Sequence, residues 1–155
     1  MIDLLLHILD EAFERSGWHG PTLLGALRGV SASEAAWRPS PDRHSIWVLA
    51  VHTAYWKYTV RRRLTGEKRG SFAKPGSNFF PVPDPATEAA WKADLALIRA
   101  EHARLREVVA GLDPKRLNRR PPGSKNAAAK LIYGVAAHDA YHTGQIQLLK
   151  RLQHG

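Results

Sequence analysis

Between Lys130 and Leu152 the chain runs without a proline, and Leu131, Val135, Ile146 and Leu149 recur at helical spacing. A helix of this length must bury its apolar face against partners, which the remaining residues have to supply as further helices. His138 and His142 lie one turn apart in this run, on the apolar side. Side chains at i and i+4 share a face, with Cβ atoms about 5–6 Å apart. Two imidazoles so placed can converge on one ion at about 2.0–2.1 Å per nitrogen. Buried with nothing to bind, they would leave several polar atoms unsatisfied.

A third histidine is offered by the segment Ser45–Trp56, which reads as a helix with Ser45 as its N-cap. His52 falls on the inward stripe of Val48, Leu49, Trp56 and Thr59. Three neutral imidazoles from two packed helices make a metal site with an open position, the pattern of a catalytic rather than a structural ion. The alternative is three separate core histidines, each satisfied by a backbone carbonyl.

The rest of the chain reads as helices cut by glycine and proline. The first starts near Ile2, turns Leu5, Leu9, Ala12 and Phe13 inward, and breaks at Gly17–Pro21. It resumes through Leu23, Leu24 and Leu27 to Gly29, and a short turn follows at Ser33–Trp37 before Pro39 and Pro41. The second main helix runs from about Ser45 to Leu64 and stops at Thr65–Gly66. A turn-rich segment spans Gly66–Pro85, and such long connections let successive helices of a bundle run parallel. The third, Thr87–Leu112, carries the stripe Trp91, Leu95, Ile98, His102, Leu105, Val109, Leu112. No strand-like alternation and no repeat is present. The expected fold is all-α: a single domain over residues 1–155, built as a four-helix bundle with a long crossover between helices two and three.

Composition bounds the partners. No apolar run approaches the ~20 residues that span a bilayer. Met1–His7 carries an acid and no basic stretch, so neither a signal peptide nor a membrane is expected. With no cysteine there is neither a disulfide nor a thiolate ligand, and a cytoplasmic location is expected. Lysine and arginine total 23 against 14 acids, a net charge of +9. The basic clusters, among them Arg61–Arg63 and Lys115–Arg116, fall at helix ends, where cations complement the helix dipole. No nucleic-acid-binding motif accompanies them, so no specific nucleic-acid partner is expected.

The Ser-capped helix bearing His52, the connector Gly29–Pro39 and the closing His138-Asp139-Ala140-Tyr141-His142-Thr143-Gly144-Gln145-Ile146 together resemble the DinB/YfiT superfamily of small metal-binding helical bundles. The resemblance runs in order along nearly the whole chain. It implies that the family's three metal histidines map onto His52, His138 and His142. It implies one divalent transition metal ion, zinc or nickel first and iron or manganese after them, and a homodimer paired through helix faces. Characterised relatives include thiol S-transferases and a thiol-dependent maleylpyruvate isomerase. The expected function is therefore that of a metal-dependent transferase or hydrolase acting on a small molecule, with thiol dependence as the resemblance implies. The alternative is a non-catalytic, metal-stabilised bundle with a binding or stress-response role.

Other residues are weaker candidates. Gln145, three residues after His142, shares its face and is expected to hydrogen-bond a ligand histidine or a substrate. Asp139 is rotated about 100° from His138, toward a neighbouring helix or solvent, with a role behind a ligand imidazole as the alternative. His102 is a candidate extra ligand or acid/base, and His19 in the Gly17–Pro21 kink a candidate for the mouth of the site. Gly134 and Gly144 flank the histidine pair and signal either close helix approach or room for substrate.

Overall fold

Four helix starts in this chain use the same chemistry. At Thr22, Ser31, Ser45 and Thr87 the backbone is extended, and the side-chain oxygen accepts the N–H three residues on, at 3.1–3.2 Å. Each cap satisfies a donor that the helix cannot, worth about 0.5–2 kcal/mol. Ser31 adds the reciprocal bond, its own N–H donating to Glu34 at 2.8 Å. The computed structural model describes residues 1–155. It contains α1 (Ile2–Phe13), α2 (Leu23–Leu27), α3 (Ala32–Ala36), α4 (Ile46–Thr65), α5 (Glu88–Ala110) and α6 (Ala128–His154), with a 3-10 turn at Pro114–Arg116. There are no strands, only one isolated bridge between Gly17 and Gly20. No helix is long and apolar enough to cross a membrane.

The long helices pack pairwise: α4 lies against α5 and α6, and α1 against α6 and α5. α4 ends at Gly66, whose φ of +78° is open to glycine at no steric cost. Arg116 reaches back to donate to the Leu64 carbonyl at 2.9 Å, satisfying one of the free acceptors at that end. The segment between α4 and α5 has no regular structure of its own. Phe80 anchors it by inserting into the core.

That core is two apolar clusters. One gathers Phe13, Leu23, Trp47, Trp91, Ile98 and Ile146; the other gathers Leu5, Leu9, Val60, Leu64, Leu105 and Ile132. On α4, α5 and α6 a buried polar residue lies where one cluster gives way to the other, and on α1 one lies within a turn of that change. These are Asp10 on α1, Lys57 on α4, His102 on α5 and Asp139 on α6. A polar layer thus crosses the bundle, and one contact dominates it: Lys57 Nζ donates to both carboxylate oxygens of Asp139, with 2.6 Å to Oδ1. Lys57 and Asp139 are 0% and 1% exposed.

The helix boundaries differ from the sequence reading by a few residues at most. The short helix begins at Ala32 rather than Ser33, because the capping box sits on Ser31. α2 stops at Leu27, short of Gly29, and α6 extends to Ala128 and His154. On α5, Leu95 is only half-buried, whereas Asp94 and Glu101 are buried. Asp94 is satisfied there by Trp47 Nε1 at 2.7 Å and Lys74 at 2.8 Å; Glu101 Oε1 accepts from Arg104 at 2.7 Å, while its Oε2 has only the Arg61 guanidinium at 3.6 Å.

Candidate metal centre

α4 and α6 bring His52, His138 and His142 together. His138 Nε2 stands 3.0 Å from the Nε2 of His52 and 3.0 Å from that of His142. The other nitrogens of the outer two rings fix their protons. His52 Nδ1 donates to the Asn78 carbonyl at 2.8 Å, and His142 Nδ1 donates to Gln145 Oε1 at 2.6 Å. A neutral imidazole carries one N–H, so both of their Nε2 atoms present bare lone pairs to the centre. His138 has one proton to offer and two lone pairs to meet. One N–H cannot point along both 3.0 Å contacts at once, so at least one bare Nε2 meets His138 without a hydrogen bond, an arrangement that a shared cation relieves. Three nitrogens at about 2.0–2.1 Å from a tetrahedral ion stand ~3.3 Å apart, only a few tenths of an ångström wider than observed. The donor set fits a divalent transition ion.

Electrostatics keeps these rings in the ligand form. Burial pushes His52 down to about 4; the bond to the Asn78 carbonyl opposes this, and charge repulsion from His142 and His44 adds to it. Burial, then His142, His52 and Lys57, push His138 down to about 3. Burial lowers His142 as well, against the bond to Gln145. All three are neutral near pH 7, as metal ligation requires. Phe79 stacks on His52 with centroids 4.2 Å apart, and Trp56 Nε1 holds the Asn78 side chain at 3.0 Å. The segment after α4 thereby roofs one side of the site.

The remaining sequence candidates separate. Gln145 is at the centre, on the outer nitrogen of His142. Asp139 points to Lys57 and not to a ligand imidazole. Burial raises its carboxyl and lowers the Lys57 ammonium, each opposed by the other's charge. His102 lies away from the triad, stacked on Phe13 at 3.8 Å and 3.5 Å from Asp10, a carboxylate already held by Arg106 at 2.9 Å. His19 is exposed and has no hydrogen bond or ring contact with the three histidines. A Cβ on Gly134 or Gly144 would meet nothing within 4 Å, so these glycines leave open space rather than allow a close helix approach. Asn78 and Phe79 carried no periodic signal that would have singled them out. Lys57 did carry one, three residues after Ala54 and four after Thr53 on the buried face of α4.

His102 sets an acid limit on the fold. Burial, then the charge of Lys57, push it down to about 4, with Asp10 opposing. As pH falls below the ordinary 6.5, the unfolded chain takes up this proton while the folded chain does not, so stability is lost between about pH 6.5 and 4. A His102→Phe protein will lose less of its urea midpoint between pH 7 and pH 4.5 than wild type. Equal losses would remove His102 as a source of acid sensitivity.

No curated protein and no solved structure matches the chain significantly. The sequence profile of the DinB superfamily matches residues 18–146, a span that begins in the turn after α1 and takes in all three histidines. With the helical fold and the convergent triad already in place, that match settles the family: the chain belongs to the DinB superfamily.

Proposed function

We propose that this protein is a metal-dependent enzyme, a transferase or hydrolase acting on a small molecule, with one divalent transition ion on His52, His138 and His142. Zinc and nickel are the first candidates. The observation that carries this reading is the surplus of lone pairs: two rings committed as Nδ1 donors turn bare Nε2 atoms onto a third. A bound ion supplies a Lewis acid for a substrate oxygen or sulfur. Around it, the Asn78 carbonyl and Gln145 orient His52 and His142, and such outer partners typically change metal affinity about 10–100-fold. No fourth protein ligand approaches, since His102 lies elsewhere and Asp139 is engaged by Lys57. This favours an open, reactive site over a closed structural one.

Cobalt substitution tests the open position. Titrating small thiols and carboxylates into the cobalt protein should change its visible spectrum as a new ligand enters. Gln145→Ala should keep the metal but hold it more weakly. A spectrum that no thiol or anion moves would favour the structural alternative.

The four long helices fit a DinB-type four-helix bundle, with residues 66–85 as the crossover. A cytoplasmic homodimer is part of the same reading. Tyr133, Ala137, Tyr141, Gly144, Leu148 and Leu152 are all exposed on α6 at spacings of three and four. Small residues between large ones suit a helix-to-helix seam. Light scattering should give twice the 17.3 kDa chain mass. A single-chain mass at tens of micromolar protein, about the range of an ordinary assay, would refute the dimer.

A further inference from the structure

We propose that the groove between α4 and α6 beside His138 binds a small organic carboxylate with an apolar body, and that this is the substrate class of the site. As a statement about substrate it rests on the metal reading above; as a binding site it stands on its own residues. The cavity measures about 270 Å³. That is the room of about nine liquid waters, enough to seat one ring or a short branched chain. Trp56, Val60, Leu131 and Val135 give it apolar walls. Gly134 lies in the lining too, where a Cβ would meet nothing within 4 Å, so the missing side chain is what keeps this space open.

The charge on the lining has one sign. Arg63, half-buried, and Lys130, exposed, both line the cavity, and no acidic residue does. Neither cation makes an ion pair or a side-chain hydrogen bond, whereas nearby Arg61 is held by Glu67 at 2.5 Å. A guanidinium beside an apolar wall with no counter-charge is the setting in which a carboxylate binds by charge-assisted hydrogen bonds. His138 lines the same cavity. Its Nδ1 is buried and has no protein partner, unlike the Nδ1 atoms of His52 and His142. A molecule held by Arg63 and Lys130 thus lies against the one triad ring that the protein itself does not orient.

Phenylacetate is the probe, with phenylacetamide supplying the same body without charge, acetate the charge without the body, and inorganic phosphate a different anion. In amide-resolved NMR titrations phenylacetate should move the Gly134 resonance and saturate, the three controls binding weaker by about tenfold or more. Arg63→Gln combined with Lys130→Gln should weaken phenylacetate by about tenfold. Lys92→Gln with Arg99→Gln, exposed cations on α5, should leave it unchanged. Gly134→Leu should fill the cavity and abolish binding while helical content and metal content stay as in wild type. Equal binding of acid and amide, indifference to Arg63 and Lys130, or full binding by Gly134→Leu would each overturn the proposal. Metal analysis of the same samples separates the two readings. Protein that holds an ion but not phenylacetate removes the pocket alone. Protein that binds phenylacetate without an ion keeps the pocket and removes the metal centre.

Discussion

Purified protein will carry about one divalent transition ion per chain, and alanine at His52, His138 or His142 will each strip it. Loss of an outer partner costs about 10–100-fold in metal affinity, so loss of a ligand itself should leave well under a tenth of the ion after dialysis. His52 is the discriminating position, since it comes from α4 while the other two share α6. If α6 alone held the ion, His52→Ala would retain it. Elemental analysis of the three variants decides the matter, and a metal-free wild type or a fully loaded His52→Ala would dismiss the triad. His102→Ala should keep the full complement, because its ring lies against Phe13 and Asp10 instead.

Asp139→Ala should cost about 3–5 kcal/mol of stability, because it leaves the Lys57 ammonium buried with no counter-charge. Against a typical total of about 5–15 kcal/mol, that is about a fifth or more of what holds the fold. In a chain of this size it corresponds to a drop in Tm of about 6–20 °C. Lys57→Met should cost a comparable amount, since burial drives either partner left alone toward its neutral form, the carboxyl by taking a proton and the ammonium by losing one. The double variant Lys57→Met with Asp139→Leu should recover most of the loss, because apolar residues of similar volume often replace a buried pair with little penalty. Urea titrations of chelator-treated protein keep metal binding out of the comparison. An Asp139→Ala protein within about 1 kcal/mol of wild type would show that the pair is hydrated or dispensable.

The sequence told of the helices and the histidines because both follow local rules. Ser45 and Thr87 announced helix starts, Gly66 a stop, and the spacing of His138 and His142 placed two rings on one face. What it withheld depended on the partner helix. Asp139 sits one residue from a candidate ligand, yet its 100° rotation carries it to α4, where Lys57 meets it. The spacing of Lys57 behind Thr53 and Ala54 puts it on the buried face of α4, but nothing on α4 names the carboxylate that makes such burial tolerable. Asn78 is held by its backbone carbonyl contact with His52, and a carbonyl is supplied by every residue type, so no side chain could advertise it. His102 was read correctly as inward on the α5 stripe, but which histidines meet is decided by how helices cross, and α5 brings it to α1.

Asp10, Lys57, His102 and Asp139 also act as a key for axial alignment. Sliding α6 along α4 by one turn, about 5.4 Å, would set the ammonium of Lys57 toward Val135 or Thr143, neither of which carries a charge, and strand the carboxylate of Asp139. Apolar side chains tolerate such a slip, because one leucine replaces another at modest cost; a lone buried charge does not. The same alignment puts His52 level with His138 and His142, so the contact that selects the register of the bundle also assembles the ligand set. Helices docked one turn out of step would lose both together, and the metal centre therefore reports on a single way of stacking these four helices.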